Sequence, residues 1–102
     1  MSPLPLFVLG AALLAVPEAS SANVTPACMH ARAEARYANY GYDHWVVLSN
    51  GCNREAACSV TTDVNPQPVQ ADVPRGESRE VLTFRGSPAS EFHAKVTCKL
   101  GD

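Results

Sequence analysis

Residues 44–63 read HWVVLSNGCNREAACSVTTD, and the fold class turns on how this stretch is read. Residues 44–49 are dense in apolar side chains (Trp45, Val46, Val47, Leu48). Residues 58–63 alternate, with Cys58, Val60 and Thr62 on one side and Ser59, Thr61 and Asp63 on the other. Period-two alternation marks a strand, because successive side chains leave opposite faces of the pleat. Apolar residues on both sides of 44–49 predict a central strand covered on each face. Asn50-Gly51 is a tight-turn signal, and a polar loop runs on to Ala57, so Cys52 and Cys58 stand at the shoulders of a turn between two strands.

Outward from this stretch the same period recurs. Upstream, residues 31–37 (ARAEARY) place Ala31, Ala33, Ala35 and Tyr37 opposite Arg32, Glu34 and Arg36. Ala, Arg and Glu favour helices, yet at helical spacing the apolar residues form no continuous stripe, so a strand is preferred. Asn39-Tyr40-Gly41-Tyr42-Asp43 is turn chemistry carrying two aromatics. Downstream, two prolines make residues 64–68 a connection at a sheet end or edge. Strands follow over 69–73 and 80–84, the second with Val81 on one face and Leu82 and Phe84 on the other. Arg85-Gly86-Ser87-Pro88 is an exposed loop. Residues 92–100 alternate most cleanly, with Phe92, Ala94, Val96, Cys98 and Leu100 inward and His93, Lys95, Thr97 and Lys99 outward. Six short strands joined by Gly, Pro, Asn and Asp turns predict a small antiparallel β-sandwich, immunoglobulin-like or with Greek-key crossing. A small open barrel is the alternative.

Residues 4–16 (LPLFVLGAALLAV) form an uncharged apolar run. It is shorter than the about 20 residues a bilayer span needs and matches the apolar core of an export leader. Ser20-Ser21-Ala22 offers the best small-x-small site, placing cleavage after Ala22. Ala19 is the poorer choice because Pro17 precedes it by two. Residues 1–22 are therefore expected as leader and 23–102 as a single domain, secreted or periplasmic, with no stable membrane insertion after cleavage. Asn23-Val24-Thr25 fits a glycosylation acceptor but would lie at the new terminus and is read as coincidence. The formal charge of −2 gives no basic field to attract nucleic acid.

A domain this small buries only about 60 % of its unfolded surface, so four cysteines in an exported chain read as two disulfides. If residues 31–37 and 44–49 form a hairpin with Arg36 facing His44, Cys28 falls opposite Cys52. Cys58 and Cys98 both sit on apolar strand faces, where a buried bridge between sheets fits. This favours Cys28–Cys52 with Cys58–Cys98. A closed 52–58 loop with 28–98 remains open, and the wide spacing argues against zinc.

At Asn50-Gly51-Cys52, at residues 58–66 (CSVTTDVNP) and at 83–89 (TFRGSPA), the chain resembles a group of short exported all-β proteins from Gram-negative bacteria of the myxobacterial kind. The resemblance spans roughly residues 35–98. It implies a bacterial envelope or secreted setting and an all-β domain, and it supplies no catalytic residue. Val73-Pro74-Arg75-Gly76 adds a cadence common to immunoglobulin-like accessory domains.

No residue is read as catalytic, cofactor-binding or metal-ligating, and no cofactor is expected. Ser49 and Ser59 lack a Gly-x-Ser-x-Gly setting, and His30, His44 and His93 lack metal-motif spacing. Tyr37, Tyr40, Tyr42 and Trp45 form the best candidate recognition group, with Tyr40 and Tyr42 displayed on the turn. The plainer reading puts Tyr37 and Trp45 in the core. The expected function is a non-enzymatic binding or structural module for an unidentified protein or glycan partner. The alternatives are a disulfide-braced enzyme inhibitor presenting loop 52–58 and a histidine-based metal carrier.

Overall fold

A computed structural model describes residues 20–102; the leader expected over residues 1–22 lies mostly outside them. The described residues form seven strands: β1 (Ala22–Thr25), β2 (Met29–Ala38), β3 (Gly41–Asn50), β4 (Ala56–Thr62), β5 (Val69–Val73), β6 (Ser78–Ser87) and β7 (Ala94–Leu100). They build two sheets, β1-β7-β4-β5 and β2-β3-β6. One apolar core lies between the sheets: Met29, Val46 and Leu48 from one meet Val60, Val73 and Val96 from the other, together with Phe92. Each such side chain contributes about 1.5–3 kcal/mol on full burial.

Alternation assigns faces correctly along β4, β5 and β7, because side-chain direction in a strand is local. Val60, Val96 and Val73 are buried while Ser59, Lys95 and Asp72 face water. Which strands become neighbours is non-local, and here several expectations are corrected. β3 and β4 do not form a hairpin. They belong to different sheets, so the polar segment 51–55 is a crossover, and β6 returns to pair with β3 after β4 and β5 have been made in the other sheet. In the constant-type immunoglobulin arrangement strands one, two, four and five share a sheet; here the second and seventh strands have exchanged sheets.

β3 is central, and the second sheet covers only one of its faces; on the other face Val47 is buried by side chains of its own sheet. His44, Val46, Leu48 and Asn50 point into the core. Trp45 and Val47 lie on the outer face beside Leu82 and Glu80 of β6. There the Arg36 guanidinium sits 4.9 Å above the Trp45 ring and is held by Glu34 at 2.8 Å and by Glu80. Trp45 is therefore half-buried under an arginine rather than packed in the core. The seventh strand, β1, is additional to the six expected: Ala22 and Val24 alternate with Asn23 and Thr25, a run of four residues too short for its period to stand out. It lies parallel to β7, with Val24 opposite Val96.

Both favoured disulfides are present, each for a reason other than the expected one. In the β2–β3 hairpin Arg36 faces Asp43 and Met29 faces Asn50, one residue off the expected register. Such a slip exchanges the faces of a strand, so Cys28 aligns with Gly51, whose N–H donates to the Cys28 carbonyl at 3.0 Å. Cys52 reaches back from just beyond the ladder, with the Cα atoms 5.0 Å apart. Cys58 and Cys98 do not join the two sheets. They face each other within one sheet on β4 and β7, with Cα atoms 4.0 Å apart.

Candidate functional site

The end of the sandwich that carries the β2–β3 turn gathers the exposed aromatic residues. Asn39 and Tyr40 have φ of 51° and 66°, the two-residue hairpin geometry with both central residues left-handed. Asn suits that region, whereas a bulky side chain there costs about 1–2 kcal/mol. Tyr40 recovers none of this by packing, since it is 97 % exposed. Tyr37 is in phase with buried Ala33, yet it is 66 % exposed, so the sandwich stops short of this end. Its ring meets that of Tyr42, its cross-strand partner, edge-on with centroids 5.3 Å apart. The core placement of Tyr37 is thus corrected: Tyr37, Tyr40 and Tyr42 form one aromatic tip.

The loop after residue 84 belongs to the same tip, which no sequence period signals. β6 runs on through Ser87, so Arg85-Gly86-Ser87 are strand rather than loop. Register shifts near Tyr42 and His44 bring this part of β6 against the hairpin, as β-bulges do when they re-aim a strand. Tyr42 pairs with Ser87, and the Gly86 N–H donates to Asp43 Oδ1 at 3.1 Å. A Cβ on Gly41 would lie 2.9 Å from the Gly86 Cα, so only a glycine lets the two segments meet. Ser87 Oγ accepts from the Ala89 N–H at 3.0 Å. His44 is fully buried, stacked on Phe92 at 4.1 Å, and bonds the Ala89 carbonyl through Nε2 at 2.8 Å. Among the described residues its Nδ1 has no partner. Nε2 must donate to a carbonyl, so the neutral ring carries its proton there. The histidine is a core strut that ties residues 88–91 to β3.

The three histidines do not converge. His30 lies on the outer face of β2 opposite Ser49, His44 is in the core, and His93 is exposed, its ring 3.3 Å from Asp63. Among the described residues no group of three His, Cys, Asp or Glu side chains is placed to hold a metal. Asp63 also accepts from the His93 backbone N–H at 2.9 Å, chiefly which holds its carboxyl below the usual range. Hydrogen bonds from Arg36 lower Glu80 in the same way. The serines considered as nucleophiles are engaged elsewhere: Ser49 with the Ser78 hydroxyl at 3.1 Å and Ser59 with the Gln70 amide at 3.3 Å.

Loop 52–58 is not a closed ring, because its two cysteines bridge to Cys28 and Cys98. Its organiser is Asn50, buried at the end of β3. The Asn50 amide donates to the carbonyls of Arg54 at 2.8 Å and Val73 at 2.9 Å and accepts from the Cys52 N–H at 2.8 Å. The Glu55 carbonyl accepts from the Gly101 N–H at 2.8 Å. Two carbonyls of this loop, those of Arg54 and Glu55, are thus already bonded within the fold. No protein-family model matches the chain, and comparison with curated proteins and with solved structures finds no match.

Proposed function

We propose that this protein is a non-enzymatic secreted or periplasmic β-sandwich that binds a protein or glycan partner through its tyrosine tip. The observation that carries the reading is Tyr40, held in a left-handed conformation at a hairpin tip with 97 % of its surface exposed. Residues kept in such conformations without compensating contacts cluster at functional sites. The surrounding composition supports it. Tyr37, Tyr40 and Tyr42 supply rigid amphipathic area at small entropic cost, and the exposed Asn39 beside them supplies an adaptable polar group, a mix that recognition loops favour. Two disulfides in a small all-β domain suit an oxidising compartment.

The test is recovery of a partner from envelope and culture-fluid fractions by the immobilised oxidised protein. The same capture is repeated with Tyr40→Ala and with Tyr37→Ala/Tyr40→Ala. Loss of a specifically retained protein or polysaccharide by variants with unchanged circular dichroism supports the reading. Equal retention by all three proteins refutes it.

A further inference from the structure

Residues 20–22, expected to leave with the leader, are built into the fold. The Ser20 N–H donates to the Ala33 carbonyl of β2 at 3.2 Å, and the Ser21 carbonyl accepts from the Ala94 N–H of β7 at 3.1 Å. The Phe92 N–H donates to Ser20 Oγ at 3.3 Å, and Ala22 lies opposite Ala94 and packs against the core. β2 and β7 belong to different sheets, so this short segment straps one open edge of the sandwich from sheet to sheet. Removing it takes away the acceptors of the Phe92 and Ala94 N–H groups, and a buried donor left without a partner is destabilising.

We propose that export processing hydrolyses the Ala19–Ser20 bond rather than the bond after Ala22, so that the mature chain begins at Ser20. The reaction adds one water, leaving a carboxylate on Ala19 and an α-amino group on Ser20. That amino group keeps hydrogens to donate to the Ala33 carbonyl, so the strap survives the cut. The agent is a leader peptidase that reads small residues before the bond. Alanine stands before both candidate bonds. Pro17 makes the earlier one look poorer in sequence, and the strap is the reason to prefer it. This inference rests on the exported reading.

The experiment is to express the full chain with its own first 22 residues in a secreting host, then to measure the intact mass and N-terminal sequence of the exported product. A start at Ser20 is expected, and Ala19→Leu, which puts a large residue before the bond, should abolish that product. A start at Asn23 or at any other internal residue overturns the proposal and leaves export standing. Retention of residues 1–19 overturns both. Unchanged processing of Ala19→Leu also overturns it.

Discussion

Gly41 and Gly86 approach so closely that a Cβ on Gly41 would lie 2.9 Å from the Gly86 Cα, and this contact makes one surface of two segments 45 residues apart. Gly41→Ala must push the hairpin off β6 or strain it. Overpacking of this kind costs about 1–3 kcal/mol. The variant should melt lower and lose partner retention together, as read by thermal unfolding and the capture assay.

Tyr40 gives the opposite pairing of effects. Tyr40→Gly relieves a left-handed tyrosine and creates Asn-Gly, the preferred two-residue hairpin turn. Against this stands the greater freedom of glycine in the unfolded chain, about 0.4–1 kcal/mol. The net expectation is stability unchanged or raised by up to about 1 kcal/mol, with binding lost. A variant that unfolds at lower denaturant would contradict this account of the turn.

Asn50 satisfies Cys52, Arg54 and Val73 from one buried amide. Asn50→Ala leaves those three backbone groups unpaired. At about 1–3 kcal/mol for each buried group, with water reaching the exposed loop side, the total loss should be about 2–4 kcal/mol in a urea titration. Asn50→Asp keeps the acceptor for Cys52 but loses both donors, so it should not restore stability.

The carboxylates of Asp63 and Glu80 are held below their ordinary values. A carboxylate depressed in the folded state adds stability above its unfolded value, and that stability is lost as pH falls through the folded value. Melting temperature should therefore drop from about pH 4 downward. Asp63→Asn should lower it at pH 7 and flatten the acid limb. Both groups are solvent-exposed, so the effect should also shrink in high salt.

Non-reducing peptide mapping should return the linked pairs Cys28–Cys52 and Cys58–Cys98. Replacing either pair by alanines should cost about 2–4 kcal/mol, and closure of the longer loop gives Cys58–Cys98 the larger entropic share.

The sequence by itself determined everything that depends on a residue and its immediate neighbours. The alternation in 58–63, 69–73 and 92–100 placed Val60, Val73 and Val96 inward, and the residue types at 39–43 announced a turn carrying Tyr40. The favoured cysteine pairs are the ones present, but the expected Cys28–Cys52 register is one residue out and Cys58–Cys98 lies within a sheet rather than between sheets. Only the tertiary structure decided which strands are neighbours. It sent β3 and β4 to different sheets, set Cys58 beside Cys98 within one sheet, left Trp45 outside under Arg36, drew in β1, and joined residues 38–43 to 85–88. The physical reason is that side-chain direction along a strand is fixed by the local pleat. Strand partnership is chosen by the joint burial of distant faces, for which no single stretch of chain carries the signal.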